Sequence, residues 1–198
     1  MEIPVLSVKF REALSYAANV HDGQVKKGTS IPYVSHLLGV CALVLEDGGT
    51  EEEAIAALLH DTLEDQPETV TREDLRARFG ERVAKIVEGC TDVSPDYRGG
   101  PKPPWRERKT RYLEHLRREA SAFVRVALAD KLHNARAILA DHRQLGDELW
   151  SRFNAGKEDQ LWYFRELVGA FREARAPSRM LQEFERVVTE LEHSTRTS

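Results

Sequence analysis

AIAALLHDTLED, residues 54–65, joins an apolar run to a cluster of charge. Ile55 to Leu59 are apolar on every side of a helix, which predicts a helix through the middle of the fold. Upstream, Thr50 and Glu53 have the spacing of a capping box, so the helix is expected to open there. It should run through LHDTLED and end at Pro67. On such a helix His60 and Glu64 are i,i+4 neighbours, as are Asp61 and Asp65. The two pairs lie about 100° apart around the axis. Three carboxylates and an imidazole then crowd one patch at the end of a buried helix. Like charges in low dielectric repel and buried ions lose hydration, a conflict that a divalent cation resolves.

Outward from this segment, apolar residues recur at three- and four-residue intervals and strand signals are almost absent. A first helix is expected from about Ser7 to Val20, then a polar loop (HDGQVKKGTSIP, 21–32), then a helix from Tyr33 to about Glu46. Beyond residue 67, Thr71 caps a helix that Gly80 breaks, and another runs from Glu81 to about Cys90. The Pro- and Gly-rich stretch 94–104 is expected to be irregular. Helices follow at about Trp105–Arg118, Ser121–Leu139, after a linker with a short helix at Gly156–Arg172, and finally from a Ser178 cap to His193, with a frayed tail. The fold class is all-α, a bundle of about eight to ten helices. Residues 1–198 are read as one domain with its core at about 7–172 and the helix 178–193 at its C-terminal end.

A site at the end of the buried helix needs ligands from elsewhere. His36 sits among apolar residues in PYVSHLLGV, and Asp130 follows the largely apolar run FVRVALA. Together, His36, His60, Asp61 and Asp130 offer two imidazoles and two carboxylates. That mixed set suits Mn2+ or Fe2+ better than Zn2+ and leaves room for water. Glu64 and Asp65 can orient that water or take its proton. Lys26 and Lys27 on the loop, with Arg106, Arg108, Lys109 and Arg111 after the Pro-rich stretch, are candidate phosphate clamps. His21–Asp22, a second His-Asp pair, lies in the polar loop and reads as structural. The aromatics Trp150, Trp162, Tyr163 and Phe164 read as helix packing, one of them a candidate for the pocket wall.

Composition sets the bounds. The 198 residues are 41% hydrophobic and 31% charged, a globular balance. A formal net charge of −4 argues against a nucleic-acid-binding surface. Cys41 and Cys90 lie in apolar surroundings and read as buried free thiols, not a disulfide or zinc site. MEIPVLSVKF does not resemble a signal peptide, and no apolar run approaches the roughly 20 residues of a membrane span. The expected location is the cytoplasm, with no membrane partner.

The blocks HDGQVKKG, PYVSHLLGV, AALLHDTLED, RFGERVAKIVEGCTD and ALADKLHNAR, in this order, resemble the hydrolase domain of the RelA/SpoT enzymes, and especially the stand-alone small alarmone hydrolases. The resemblance spans roughly Phe10 to Arg136 and is weaker to Phe164. It implies an all-α HD fold holding one Mn2+ through His36, His60, Asp61 and Asp130, with Glu64 and Asp65 activating the attacking water. It also implies that Lys26 and Lys27 contact phosphate and Asn134 the ribose. The implied reaction removes the 3′-pyrophosphate of guanosine tetra- or pentaphosphate, with an adenosine alarmone as a variant. Alternatives are an NADPH or nucleoside monophosphate phosphatase and an inactive nucleotide sensor. A homodimer is left open. Val25-Lys26-Lys27 departs from the family's usual Arg-Lys, and Ala137 stands where the long enzymes carry a hydroxyl, which puts the base contacts in doubt.

Overall fold

In a computed structural model the described residues are 6–93, 97, 100–119 and 123–196. They form ten α-helices and no strand, apart from one antiparallel bridge between Val25 and Pro32. The helices are α1 (Val8–Val20), α2 (Val34–Glu46), α3 (Glu51–Leu59), α4 (Thr62–Asp65), α5 (Arg72–Phe79), α6 (Glu81–Cys90), α7 (Trp105–Glu119), α8 (Val124–Leu145), α9 (Lys157–Glu173) and α10 (Ser178–Arg196), with a 3-10 segment at Gly146–Arg152. The all-α class is borne out.

Local chemistry sets most of the boundaries. Glu53 N–H donates to Thr50 Oγ1 while Thr50 N–H donates to Glu53 Oε2, the reciprocal pair that opens α3. Thr71 and Asp74 repeat the device at α5. Gly80, at φ 98°, ends α5 in a conformation that a side chain would resist. Ala54 to Leu59 of α3 are wholly buried, so this helix does lie in the interior, packed between α1, α2, α6 and α8. Cys41 and Cys90 are buried free thiols.

Four expectations are corrected. The helix through residues 54–65 is not continuous: α3 stops at Leu59, a turn holds His60 and Asp61, and α4 restarts at Thr62. Side chains serve the end of α3, with His60 Nδ1 2.8 Å from the Ala57 carbonyl and Thr62 Oγ1 donating to the Leu59 carbonyl at 2.7 Å. At the C-terminus, Ser178 is the first helical residue, not the cap, and the Pro177 carbonyl accepts from Leu181 N–H. The tail is helical to Arg196, because Lys157 Nζ donates to the Thr195 carbonyl at 2.9 Å and Ser194 Oγ lies 2.9 Å from His142 Nδ1. That buried His142 belongs to α8, which runs past the expected end at Leu139 to Leu145. The helix start expected at Ser121, and residues 94–96, 98 and 99 of the irregular stretch, lie outside the described residues.

Candidate metal centre and substrate pocket

α2, the turn between α3 and α4, and α8 each deliver a side chain to one point. His36 Nε2 and His60 Nε2 are 3.2 Å apart. Asp130 Oδ1 is 3.3 Å from the first and 3.6 Å from the second. Asp61 Oδ2 is 2.9 Å from His60 Nε2 and 3.6 Å from His36 Nε2. Donor atoms about 2.1 Å from a common ion are separated by roughly 3 to 3.5 Å. Each of these separations is that of neighbouring ligands. Among the described residues, His36, His60 and Asp130 form a group whose donor atoms all lie within 4.8 Å of one another, with Asp61 beside the two histidines.

Surrounding groups orient these ligands. With Nδ1–H of His60 donating to the Ala57 carbonyl, its Nε2 keeps the lone pair that a metal requires. His36 Nδ1 lies 2.9 Å from His133 Nδ1. Burial first, then His36 and Lys26, push the His133 pKa down to about 4, so His133 is neutral at ordinary pH and accepts that proton. Asp130 receives Asn134 Nδ2 on Oδ1 at 2.6 Å and Lys131 Nζ on Oδ2 at 2.5 Å. Tyr33 donates its hydroxyl to Asp61 Oδ2 at 2.5 Å. Burial disfavours charge on His60, yet Asp61 and Asp130 raise its pKa well above the usual value. His36 is likewise raised by Asp130 and Asp61 against burial. Without a metal the carboxylates draw protons onto the imidazoles, and a divalent cation supplies the same charge in their place.

The acidic pair sits beside this cluster. Glu64 accepts from Lys102 Nζ at 2.8 Å, with Arg108 at 3.9 Å. Asp65 Oδ2 accepts from Gln24 Nε2 at 2.8 Å. Burial, then Asp61, raise the Asp65 pKa to about 6, with Gln24 and Lys102 opposing.

The cluster borders a pocket of about 310 Å³. Lys26, Lys27, Lys109 and Asn134 line it. The other cations are committed to carboxylates: Arg108 does not line this pocket but pairs with Asp92, Arg106 pairs with Asp159 over the Trp162 ring, and Arg111 lies by Glu107. Lys109 also holds Asp92, at 2.7 Å. Of the four aromatics, Tyr163 and Phe164 reach the pocket wall. Ala137 lines it too. Sequence reasoning missed Tyr33, Lys131 and His133. Their spacing carried a signal: Tyr33 precedes His36 by one turn, and His133 follows Asp130 by one turn. His21, expected in the polar loop, is buried at the end of α1 with its ring 5.2 Å from Tyr33.

The HD domain family's model matches residues 13–160. The chain belongs to the HD domain family. It is 37% identical over 143 residues to the guanosine-3′,5′-bis(diphosphate) 3′-pyrophosphohydrolase MESH1 of Xenopus tropicalis, covering 71% of this chain and 73% of that protein. It is 32% identical over 136 residues to the bifunctional (p)ppGpp synthase/hydrolase SpoT of Escherichia coli K12, covering 66% of this chain but 18% of that much longer protein. In structure it matches a metazoan orthologue of SpoT described as hydrolysing ppGpp, with a TM-score of 0.74, 26% identity, and coverage of 96% of this chain and 97% of the other. A protein from Listeria monocytogenes also matches, with a TM-score of 0.68 and 30% identity over 82% of this chain and 99% of the other. The resemblance to RelA/SpoT-type hydrolases is thus borne out. HD membership implies a divalent metal, and the donor set here fits one. No helix among the described residues is long and apolar enough to cross a membrane.

Proposed function

We propose that this chain is a cytoplasmic, Mn2+-dependent hydrolase that removes the 3′-pyrophosphate of a guanosine (or adenosine) tetra- or pentaphosphate. Water attacks the phosphorus next to the ribose, the bond from that phosphorus to the 3′-oxygen breaks, and the products are the nucleoside 5′-polyphosphate and pyrophosphate. The observation that carries the reading is the convergence of His36, His60, Asp61 and Asp130 on one point beside a pocket that also presents Lys26, Lys27, Lys109 and Lys131. The likeness to named pyrophosphohydrolases supports the substrate class.

In this reading His36, His60, Asp61 and Asp130 would hold one Mn2+. Bound there, a divalent cation makes a water nucleophilic at neutral pH and polarises a phosphoryl oxygen. Asp65 takes the proton of the attacking water, since a carboxylate with its pKa raised to about 6 is ionised at neutral pH yet basic enough to accept it. Glu64, gripped by Lys102, orients the water. Lys26, Lys27 and Lys109 meet the phosphates, while Arg108 acts at one remove, by fixing Asp92 and facing Glu64. Asn134 stands between the ligand Asp130 and the ribose. The apolar wall at Ile138, Phe153 and Phe164 receives the base.

The test is turnover of the Mn2+-loaded protein on guanosine tetraphosphate, adenosine tetraphosphate and NADPH with product analysis. Pyrophosphate release from an alarmone is expected. Orthophosphate as the released product would move the chain to the monoesterase class, and no turnover with full metal loading would mark it as a sensor.

A further inference from the structure

His21 and Gln24, in HDGQ (21–24), form a hydrogen-bonded chain that runs from the buried end of α1 out to Asp65. His21 is 3% exposed and closes α1. Its Nδ1 lies 2.8 Å from Gln24 Oε1, and Gln66 Nε2 approaches the same oxygen at 3.4 Å. An amide oxygen only accepts, so His21 carries its proton on Nδ1, and the Gln24 NH2 group must face the other way. That group donates to Asp65 Oδ2 at 2.8 Å. The Gln24 backbone is pinned as well, its N–H to the His21 carbonyl at 3.1 Å and its carbonyl to Tyr33 N–H at 2.8 Å.

The other ring nitrogen sharpens the case. His21 Nε2 is buried and has no hydrogen-bond partner among the described residues. An orphaned buried polar atom is costly, so an imidazole is a poor choice for filling space alone. What it contributes is the Nδ1–H that fixes the Gln24 amide. Asp65 in turn has no second donor side chain among the described residues, so Gln24 is the side chain that restrains its rotation.

We propose that His21 and Gln24 are positioning residues for the hydrolysis. Through the Gln24 amide they hold the Asp65 carboxylate in the orientation that faces the attacking water. The role rests on Asp65 being the proton acceptor of the proposed function.

Gln24→Leu keeps the side-chain volume and removes the donor, and Gln24→Glu keeps the shape but sets an acceptor against Asp65. With Mn2+-loaded protein and guanosine tetraphosphate, Gln24→Leu is expected to lower kcat about 10- to 100-fold, the scale of a slightly misplaced reacting group, with KM within about twofold. Gln24→Glu should lose at least as much, and His21→Phe should follow in the same direction. Placed on Asp65→Asn, Gln24→Leu should cost nothing further, because both act on one carboxylate. A readout independent of activity is the carboxyl titration of Asp65, followed by carbon NMR in the metal-free protein: losing a donor to the charged form raises its pKa in Gln24→Leu. Losses that multiply in the double variant, or an Asp65 titration unmoved by Gln24→Leu, overturn the positioning role. Should the wild type release no pyrophosphate, the function reading fails and the role in hydrolysis fails with it, while the Asp65 titration still tells whether Gln24 holds that carboxylate.

Discussion

A methyl group on Gly39 should weaken metal binding at a site it never touches. Gly39 lies in α2 against the His133 ring, and a Cβ built on it falls 2.3 Å from His133 Nε2 and 2.4 Å from Cδ2. Ordinary contact begins near 3.4 Å, so the ring must retreat by about 1 Å. A retreat of that size takes the 2.9 Å contact between His133 Nδ1 and His36 Nδ1 beyond hydrogen-bond range. His36 then loses the group that fixes its tautomer and ring angle. Loss of such an orienting partner typically costs about 10- to 100-fold in metal affinity, or about 1.4–2.7 kcal/mol. Overpacking costs about 1–3 kcal/mol of stability, and replacing a helical glycine by alanine returns about 1 kcal/mol, so Gly39→Ala should remain folded. His133→Phe reaches the same end by another route, filling the space without a nitrogen. Isothermal titration of Mn2+ into the metal-free proteins measures the effect. Wild-type affinity in both variants would refute the reasoning. His133→Phe has a second signature. The folded-state pKa of His133, about 4, is below the 6.5 of a free histidine. The unfolded chain thus takes up a proton between pH 6.5 and 4 that the folded chain refuses, and stability falls as pH drops through that window. His133→Phe removes this share of the acid sensitivity, which thermal melts across the range would record.

Three further outcomes follow from the same geometry. Asp61→Ala and Glu64→Ala should each abolish turnover, but only Asp61→Ala should also weaken Mn2+ binding; full activity in the Glu64 variant would remove it from the mechanism. Lys27→Ala should raise KM more than it lowers kcat, since the lysine meets ground-state phosphate, and an unchanged KM would refute that role. Asp65 must be ionised to accept a proton, so kcat should fall as pH drops through its pKa, which is about 6 without metal and lower once a cation is bound. That acid limb should be absent from the residual rate of Asp65→Asn. In the metal-free protein the raised pKa has the opposite effect on folding: its stabilisation is present below the free-carboxyl value of 3.8 and is lost as pH rises through about 6.

Much of this cluster was legible before any fold was known, because its residues violate the local apolar pattern. His36 within α2, His60 after six buried residues, and Asp130 within α8 each stand where burial predicts an aliphatic side chain. The roles of the lysines were less legible. Lys109 and Arg108 are adjacent in sequence, yet one lines the pocket and the other does not, since neighbours on a helix point about 100° apart. Lys131 escaped notice because a cation beside Asp130 reads locally as a surface pair, whereas burial makes it the counter-charge to a ligand.

The chain's own periodicity and caps determined that it would be helical and where most helices begin, because those are short-range matters of hydrogen bonding and side-chain spacing. They also determined which residues are out of place in an apolar core. Tertiary structure alone decided that α3 breaks at the His60–Asp61 turn, that His133 and Tyr33 brace ligands on other segments, and that the last turn of α10 docks against His142 and Lys157. Those facts depend on which groups meet across long sequence separations, and a buried donor finds its acceptor only once the helices have packed.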